Sequence, residues 1–499
     1  MNKEQSFNLV KTILRSPIFH SQSLEQRINI LNQILVTGEV TREELSHLIN
    51  EVQQQIQDEN KNPLLNDPRF IERLDYNGFL NLVIRSDIKG KDLISLCNTS
   101  RKLNGYCNKA LILPNGQIID QYLFILLLNK MRVKLFPGQI PREVYKRKTI
   151  GGRVYSFGAN YTMQLGLGDQ SNRYISTLIP NLNGIIAIST GRNHSLVLDN
   201  KGRIWGFGDN SNGQLGLGNY QDQSIPSLIP NFNNIIAISA GGRHSLILDN
   251  RGQVWSFGRG GPLGLGDHQK RPIPTLIPNL NGIVTISAGG LQSLILDNKG
   301  RVWSFGDNWY GELGLGDHGD KLIPTLIPNL ENIVEISAGR RHSLVLDNQG
   351  RVWSFGDNEY GQLGLGHDAK ELILIPTLIP NLENIVAISA GEFQSLVLDN
   401  QGRVWGFGNN YHGQLGFGDE GEKLIPTLIP NLENIVEISA GAAYSLVLDN
   451  QGRVWSFGYN EYGYLGLGDD EERTTPTLIP DLDDVIAVSA GEYHSLILK

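Results

Sequence analysis

The sequence predicts a mainly β protein: a seven-bladed β-propeller preceded by a small α-helical domain. Three observations carry that expectation. A unit of about 50 residues recurs seven times after residue 150. Each unit consists of short β-rich runs separated by Gly, Pro and Asn, with no helical spacing of any length. The preceding 148 residues lack the repeat and carry apolar residues at helical spacing instead. The expected boundaries are 1–148 for the helical region and 149–499 for the propeller.

Within the helical region, residues 23–35 carry apolar residues at helical spacing. Thr41 and Glu44 have capping-box spacing before Leu45, Leu48 and Ile49, and Pro63 ends that helix. Residues 79–107 read as two or three short helices, with Asp92 and Thr99 or Ser100 as caps. Residues 118–135 read as a further helix buried by a Leu-rich face. A turn at 137–141 and a basic linker at 142–148 lead into the repeats.

The repeats fall into register on Trp205, Trp255, Trp303, Trp353, Trp405 and Trp455, with Tyr155 in the first copy. The units are 151–200, 201–250, 251–298, 299–348, 349–400, 401–450 and 451–499. Residues 333–337, 343–346 and 351–355 are one unit's strands. Between the last two, Asp347-Asn-Gln-Gly350 is a hairpin turn in which Asn and Gly supply positive φ. Gly356, Gly361, Gly364 and Gly366 suit positive φ or close backbone packing. The Ile-Pro-Thr-Leu-Ile-Pro stretch belongs on a blade edge or connection, because proline cannot donate to a ladder. The Trp and Phe of the Trp-Ser-Phe-Gly run read as blade-packing core. The array opens on the strand at 153–157 and ends on the strand at 495–498, and internal copies pair these two as a hairpin. The first and last strands are therefore expected to pair and close the ring.

Composition narrows the function classes. Residues 1–150 hold 21 Lys+Arg against 15 Asp+Glu, a net +6; the remainder holds 22 against 36, a net −14. An acidic propeller does not advertise nucleic-acid binding. The longest apolar run, residues 122–128, is too short to span a bilayer, so no membrane role is expected. Two cysteines, Cys97 and Cys107, make no disulfide framework and no zinc cluster, which suits a reducing intracellular compartment, cytoplasmic or nuclear. No G-x-S-x-G, P-loop or HExxH pattern occurs, so neither an enzyme nor a cofactor is expected. His194, His244, His342 and His494 share a repeat position with Gln292, Gln394 and Tyr444. Such interchange points to a structural hydrogen bond rather than a metal or a general base.

Seven near-identical copies form an alignment inside one chain. Two loop sets diverge. The pairs after Ala-Gly (Thr-Gly in the first copy) are Arg192-Asn193, Gly242-Arg243, Gly290-Leu291, Arg340-Arg341, Glu392-Phe393, Ala442-Ala443 and Glu492-Tyr493. After the Trp-Ser-Phe-Gly run stand Tyr161, Ser211, Trp309-Tyr310, Glu359-Tyr360, Tyr411-His412 and Glu461-Tyr462, and the third copy is shortened to Arg259-Gly-Gly-Pro262. Alternating strand direction predicts that both sets share one face, opposite the uniform Asp-Asn-x-Gly turns. Its candidate partner-binding residues are Arg192, Asn193, Arg243, Leu291, Trp309, Tyr310, Arg340, Arg341, Tyr360, Glu392, Phe393, Tyr411, Tyr462, Glu492 and Tyr493. Arg and aromatic side chains are favoured interface anchors. Drift on solvated loops is the competing reading.

The recurring G-Q-L-G-x-G and A-G-x-x-H-S elements resemble the regulator of chromosome condensation repeat family over roughly 350 residues. The resemblance implies a seven-bladed propeller. It also implies a range of functions: activation of a Ran-type GTPase on chromatin, light sensing, or service in ubiquitin ligases. The light-sensing branch places Trp after the blade glycine, where this chain has Arg192, Gly242, Gly290, Arg340, Glu392, Ala442 and Glu492. Residues 92–103, D-L-I-S-L-C-N-T-S-R-K-L, resemble the F-box helical motif in the divergent form found in proteins of large DNA viruses. That resemblance implies a Skp-type adaptor as partner and, if viral, a host-cell location. Leu93, Ile94, Leu96 and Leu103 would form either the adaptor contact or the motif's own core. Three functions follow as expectations: a non-enzymatic adaptor holding a protein target; an exchange factor or chromatin-associated regulator of a small GTPase; or a structural or virion-associated interaction protein.

Overall fold

The computed structural model describes residues 151–366 and 372–499. The expected helices, the F-box-like stretch with Leu93, Ile94, Leu96 and Leu103, and both cysteines lie outside the described residues.

Twenty-eight strands, numbered in chain order, form seven four-stranded antiparallel sheets among the described residues. One blade shows the plan. β15 (Ile333–Ala338) is innermost, β16 (His342–Asp347) and β17 (Val352–Gly356) follow, and β18 (Ile373–Leu378) is the outer edge. β16 is buried along its whole length and β17 at all but Trp353, because neighbouring blades cover both faces. The edge strand is half-exposed. It carries the proline at position 376, where one side of the strand has no ladder to feed, as the sequence predicts.

The ring closes as expected from the phase of the repeat. β1 (Val154–Gly158) pairs with β28 (His494–Leu498) from Val154↔Leu498 to Gly158↔His494. That blade has the order β2-β1-β28-β27, with β2 at Arg173–Leu178 and β27 at Ala487–Ala490. Both ends of the array thus sit at the centre of one sheet, and no half-blade edge is left open.

The hairpin turn differs from the sequence reading in one detail. Gly350 takes positive φ (78°), but Asn348 does not. The Asp347 carboxylate instead accepts the N–H groups of Gln349 and Arg351 at 2.9 and 3.0 Å. An Asp side chain that satisfies two turn donors makes a second left-handed residue unnecessary. Gly356, Gly361, Gly364 and Gly366 all have positive φ.

The core lies between blades. The Phe of each repeat is fully buried against the preceding sheet: Phe207 packs on Val154, Ile179, Leu182 and Leu496. The repeat Trp is only half-buried, and in five copies an Arg of the adjacent turn lies over its ring, as Arg203 does over Trp205 at 4.9 Å. Trp and Phe therefore both pack between blades, with Trp at the solvent margin.

Two hydrogen-bond rings join the blades. The Ser of each inner strand accepts the N–H of the next inner strand, from Ser189 and Ala240 (2.9 Å) round to Ser489 and Thr190 (3.1 Å). Nearer the mouth, glycines abut: a Cβ on Gly241 would lie 2.6 Å from the Gly289 carbonyl oxygen and 2.7 Å from the His244 ring. Gly241→Ala should destabilise the propeller by roughly 1–3 kcal/mol, the usual range for overpacking, and lower its melting midpoint. An unchanged midpoint would show that the central ring has room for a methyl group.

Candidate protein-binding face

The second ring contains the repeat histidines. His194, His244, His342 and His494 are fully buried. Their Nε2 atoms lie 2.9, 2.9, 2.9 and 2.7 Å from Ser245, Ser293, Ser395 and Ser195 of the next blade. Each serine donates its one hydroxyl proton to a loop carbonyl, for example Ser245 to Gln214 at 2.8 Å and Ser195 to Gln164 at 3.0 Å. The imidazole must therefore be the donor through Nε2, and Nδ1 is left bare. Burial pushes these rings down to about 4 for His194 and about 3 for the other three. Tyr444 reaches Ser495 (3.0 Å) and the His494 carbonyl (2.7 Å). Gln292 and Gln394 donate to the Gly339 and Gly441 carbonyls at 2.9 and 3.0 Å. All seven side chains are inter-blade clasps, which is the structural role their interchange predicts.

These clasps hold the loops that follow the first and third strands of each blade. The two strands run in the same direction, so their loops emerge together and both variable sets share one face. Arg341 lies 4.4 Å over the Tyr310 ring, and Arg340 and Arg341 each lie 5.8 Å from Phe393. Tyr360 meets Phe393 at 5.1 Å and Tyr411 at 6.3 Å, edge to face. Arg192 sits 5.7 Å from Tyr493, and the Asn193 carbonyl accepts from Thr162. Tyr161 and Tyr462 pack edge to face at 5.6 Å. Trp309 is 73% exposed and Tyr411 52%.

Charge on this face is partly spent internally. Arg192 pairs with Glu492 at 3.1 Å, and Arg340 pairs with Glu392. Those four residues rim the central channel, which the inner Ala and Gly residues constrict. On one side of the axis, rings from Tyr459, Tyr462, Tyr464 and Tyr493 cluster with Tyr161. Elsewhere, a cavity of about 330 Å³ is lined by Arg243, Arg259, Leu291, Trp309, Tyr310 and Arg341, among others. The candidate residues read from the sequence cover much of its wall; Arg259 stood only in the shortened third-copy loop, and Asp307 and Glu312 were not singled out. Glu312 was legible in the self-alignment, where the other copies have Gln164, Gln214, Gln362, Gln414, Pro262 and Tyr464. The acidic stretch 469–472 is tied down at three points: Asp469 pairs with Arg473 at 2.6 Å, Glu471 with Arg473 at 3.7 Å, and Glu472 with His412 at 2.9 Å.

Comparison with known proteins bears on the repeat directly. The profile of the RCC1-like domain matches residues 148–386. Profiles of the regulator of chromosome condensation (RCC1) repeat match 401–448 and 451–498, and in a second version 385–414 and 435–463. The propeller is built of RCC1-like repeats. No curated protein sequence matches the chain significantly. Among solved structures, the RCC1 propeller is similar to Prp20p of Saccharomyces cerevisiae, characterised for its binding to Gsp1p and histones. Identity there is 23%, over 71% of this chain and 94% of that one, with a TM-score of 0.65. Yeast RCC1 (Prp20) bound to Kap60 gives 24%, 71%, 91% and 0.65. Human WBSCR16 gives 22%, 70%, 98% and 0.64. At these identities the likeness establishes the fold.

Proposed function

We propose that the protein is a non-enzymatic interaction scaffold whose variable RCC1-propeller face holds a protein target inside the cell. The observation that carries this reading is Trp309. It is a large aromatic left 73% exposed, beside Tyr310 and Arg341, on the one face where otherwise uniform repeats diverge. An exposed aromatic beside stacked arginines has the composition of an interface hot spot. Prp20p and its binding to Gsp1p and histones lend support to protein partners in general and favour a second reading, a regulator of a small GTPase or of chromatin. In the first reading, residues 79–107 would recruit a Skp-type adaptor of a ubiquitin ligase.

Affinity purification of the full chain with mass spectrometry tests the reading, run beside Trp309→Ala, Arg340→Ala, Arg341→Ala and Tyr360→Ala. At least one protein should be retained by the wild type and reduced about tenfold or more by Trp309→Ala or Arg341→Ala, as a hot-spot loss of 1.4 kcal/mol or more requires. Retention that is equal across all four variants would refute the face assignment. An adaptor and cullin among the retained proteins support the ligase role. Accelerated nucleotide release from a co-purified GTPase supports the second reading instead.

A further inference from the structure

The cavity on the variable face is built differently from the rest of that face. It is framed by the loops after β7 (Ile235–Ala240), β9 (Val254–Gly258), β11 (Ile283–Ala288), β13 (Val302–Gly306) and β15. The loop after β9 is two residues shorter than in five of the other copies, and Arg259 stands where the next copy has Asp307. Five arginines line the cavity: Arg192, Arg243, Arg259, Arg340 and Arg341. Arg192 and Arg340 are neutralised by Glu492 and Glu392. Arg243, Arg259 and Arg341 make no ion pair among the described residues.

One wall carries a second peculiarity. In two other blades the Gln of this loop accepts a backbone N–H through Oε1 and donates from Nε2 to a neighbouring side chain, whereas Gln164 and Gln362 keep an unpartnered Nε2. Gln214 donates to Asp209 at 2.8 Å, and Gln414 donates to Asn409 at 2.9 Å. Glu312 keeps the first bond, accepting from the Tyr310 N–H at 2.7 Å. It has no amide to offer Asp307, so the second bond requires a proton on the carboxyl. Burial, then the Asp307 and Asp320 charges, raise Glu312 to about 7, with the Tyr310 N–H opposing. Burial and Asp320 raise Asp307, while Arg259 and His268 oppose. Glu492, on the far wall, is raised by burial against Arg192, Arg340 and Arg243.

We propose that this cavity takes a carboxylate side chain from an acidic segment of the partner protein, held by Arg243, Arg259 and Arg341 between Trp309 and Tyr310, with Glu312 carrying a proton when the site is filled. The inference rests on the interaction-scaffold reading and names the chemistry of the partner. A singly charged carboxylate fits better than a phosphate dianion, because Asp307 and Glu312 share the wall and a second negative charge would meet both. Filling the site adds negative charge beside Glu312, so binding takes up a proton and weakens as pH rises through 7.

The test is fluorescence anisotropy of a labelled oligoglutamate peptide with the full-length protein, near pH 6 and near pH 8. Oligoglutamine and phosphoserine peptides serve as comparisons. The oligoglutamate should bind saturably and about tenfold more weakly at the higher pH, as one proton per site dictates. Arg259→Ala and Arg341→Ala should each weaken it about tenfold. Because the His268 imidazole also lies near Asp307, the assignment of the proton rests on Glu312→Gln, which restores the amide found at Gln214 and Gln414. That variant should bind equally at both pH values, with an unchanged thermal midpoint or a higher one. Absence of saturable binding, equal binding of oligoglutamine, preference for the phosphoserine peptide, or indifference to both arginine variants would overturn the site. A pH dependence that survives in Glu312→Gln would overturn the proton. A cellular protein lost with Trp309→Ala while the oligoglutamate fails to bind would leave the scaffold reading standing and sink this inference alone.

Discussion

Lowering the pH from 7.5 to 5 should unfold the propeller in one cooperative step, and replacing four histidines by glutamine should remove most of that sensitivity. His194, His244, His342 and His494 are fully buried, donate through Nε2, and have no acceptor for a proton on Nδ1. Burial holds the folded rings down at about 3 to 4, against 6.5 for an unfolded histidine. Between those values the unfolded chain binds more protons than the folded one. The stability of the neutral clasps is therefore complete above 6.5 and is lost progressively as pH falls towards 3 to 4. At pH 5 the deficit is about 2 kcal/mol for each ring and about 8 kcal/mol for four, comparable with the whole stability of a typical domain. Glu312, raised to about 7, acts in the opposite sense, since its protonated form suits the fold, but it is one group against four. The combined variant His194→Gln, His244→Gln, His342→Gln and His494→Gln uses a side chain that the protein already employs at Gln292 and Gln394. Circular dichroism against pH is the measurement. Parallel acid transitions in the wild type and the variant would show that the buried imidazoles do not control acid stability.

Deleting residues 495–499 should abolish the cooperative thermal transition. β28 is an interior strand, flanked by β1 and β27, and Leu496, Ile497 and Leu498 are fully buried. Each loss of a buried aliphatic side chain costs about 2–5 kcal/mol, and two ladders disappear with them. Deletion also removes Ser195's route to His494 by unseating the strand that carries the imidazole. The remaining blade would expose the edges of β1 and β27, which are templates for association between chains. The expected product is a broadened, non-cooperative melt with aggregated material on size exclusion. A wild-type midpoint and a monodisperse peak would mean that the ring does not depend on closure by its two ends.

Particular residues show how far sequence reading reaches. The seven-fold period, the register on Trp205 and its counterparts, and the pairing of the strands at 153–157 and 495–498 were all legible. Each follows from local strand pattern and from a hairpin phase that must hold in every copy. The histidine position was legible as structural because Gln and Tyr replace it. The turn at 347–350 was read slightly wrongly: local propensity favoured Asn in the left-handed region, whereas the Asp347 carboxylate satisfies the turn from the side. Arg192 and Arg340 were read as candidate partner anchors, and both are paired with a glutamate of an adjacent blade at the channel mouth. Glu392 comes from the next blade along the chain, and Glu492 from the blade that ring closure brings beside the first inner strand. Arg259 was read only as part of a shortened loop, and Asp307 and Glu312 were missed, because their approach depends on how adjacent blades pack, although the departure of Glu312 from its Gln counterparts was visible.

The sequence by itself determined that this is a ring of seven antiparallel blades, which strands are edges, and which loops share a face. Those properties follow from periodicity and strand direction, which repeat from copy to copy. Tertiary structure alone decided which variable residues touch. A ring places the loops of unlike blades side by side across an axis, and the contacts there depend on blade geometry rather than on spacing along the chain. For that reason the bare arginines collect on one wall and the tyrosines on another. Among the described residues, the same chain of like repeats therefore carries a cavity lined by three arginines that make no ion pair.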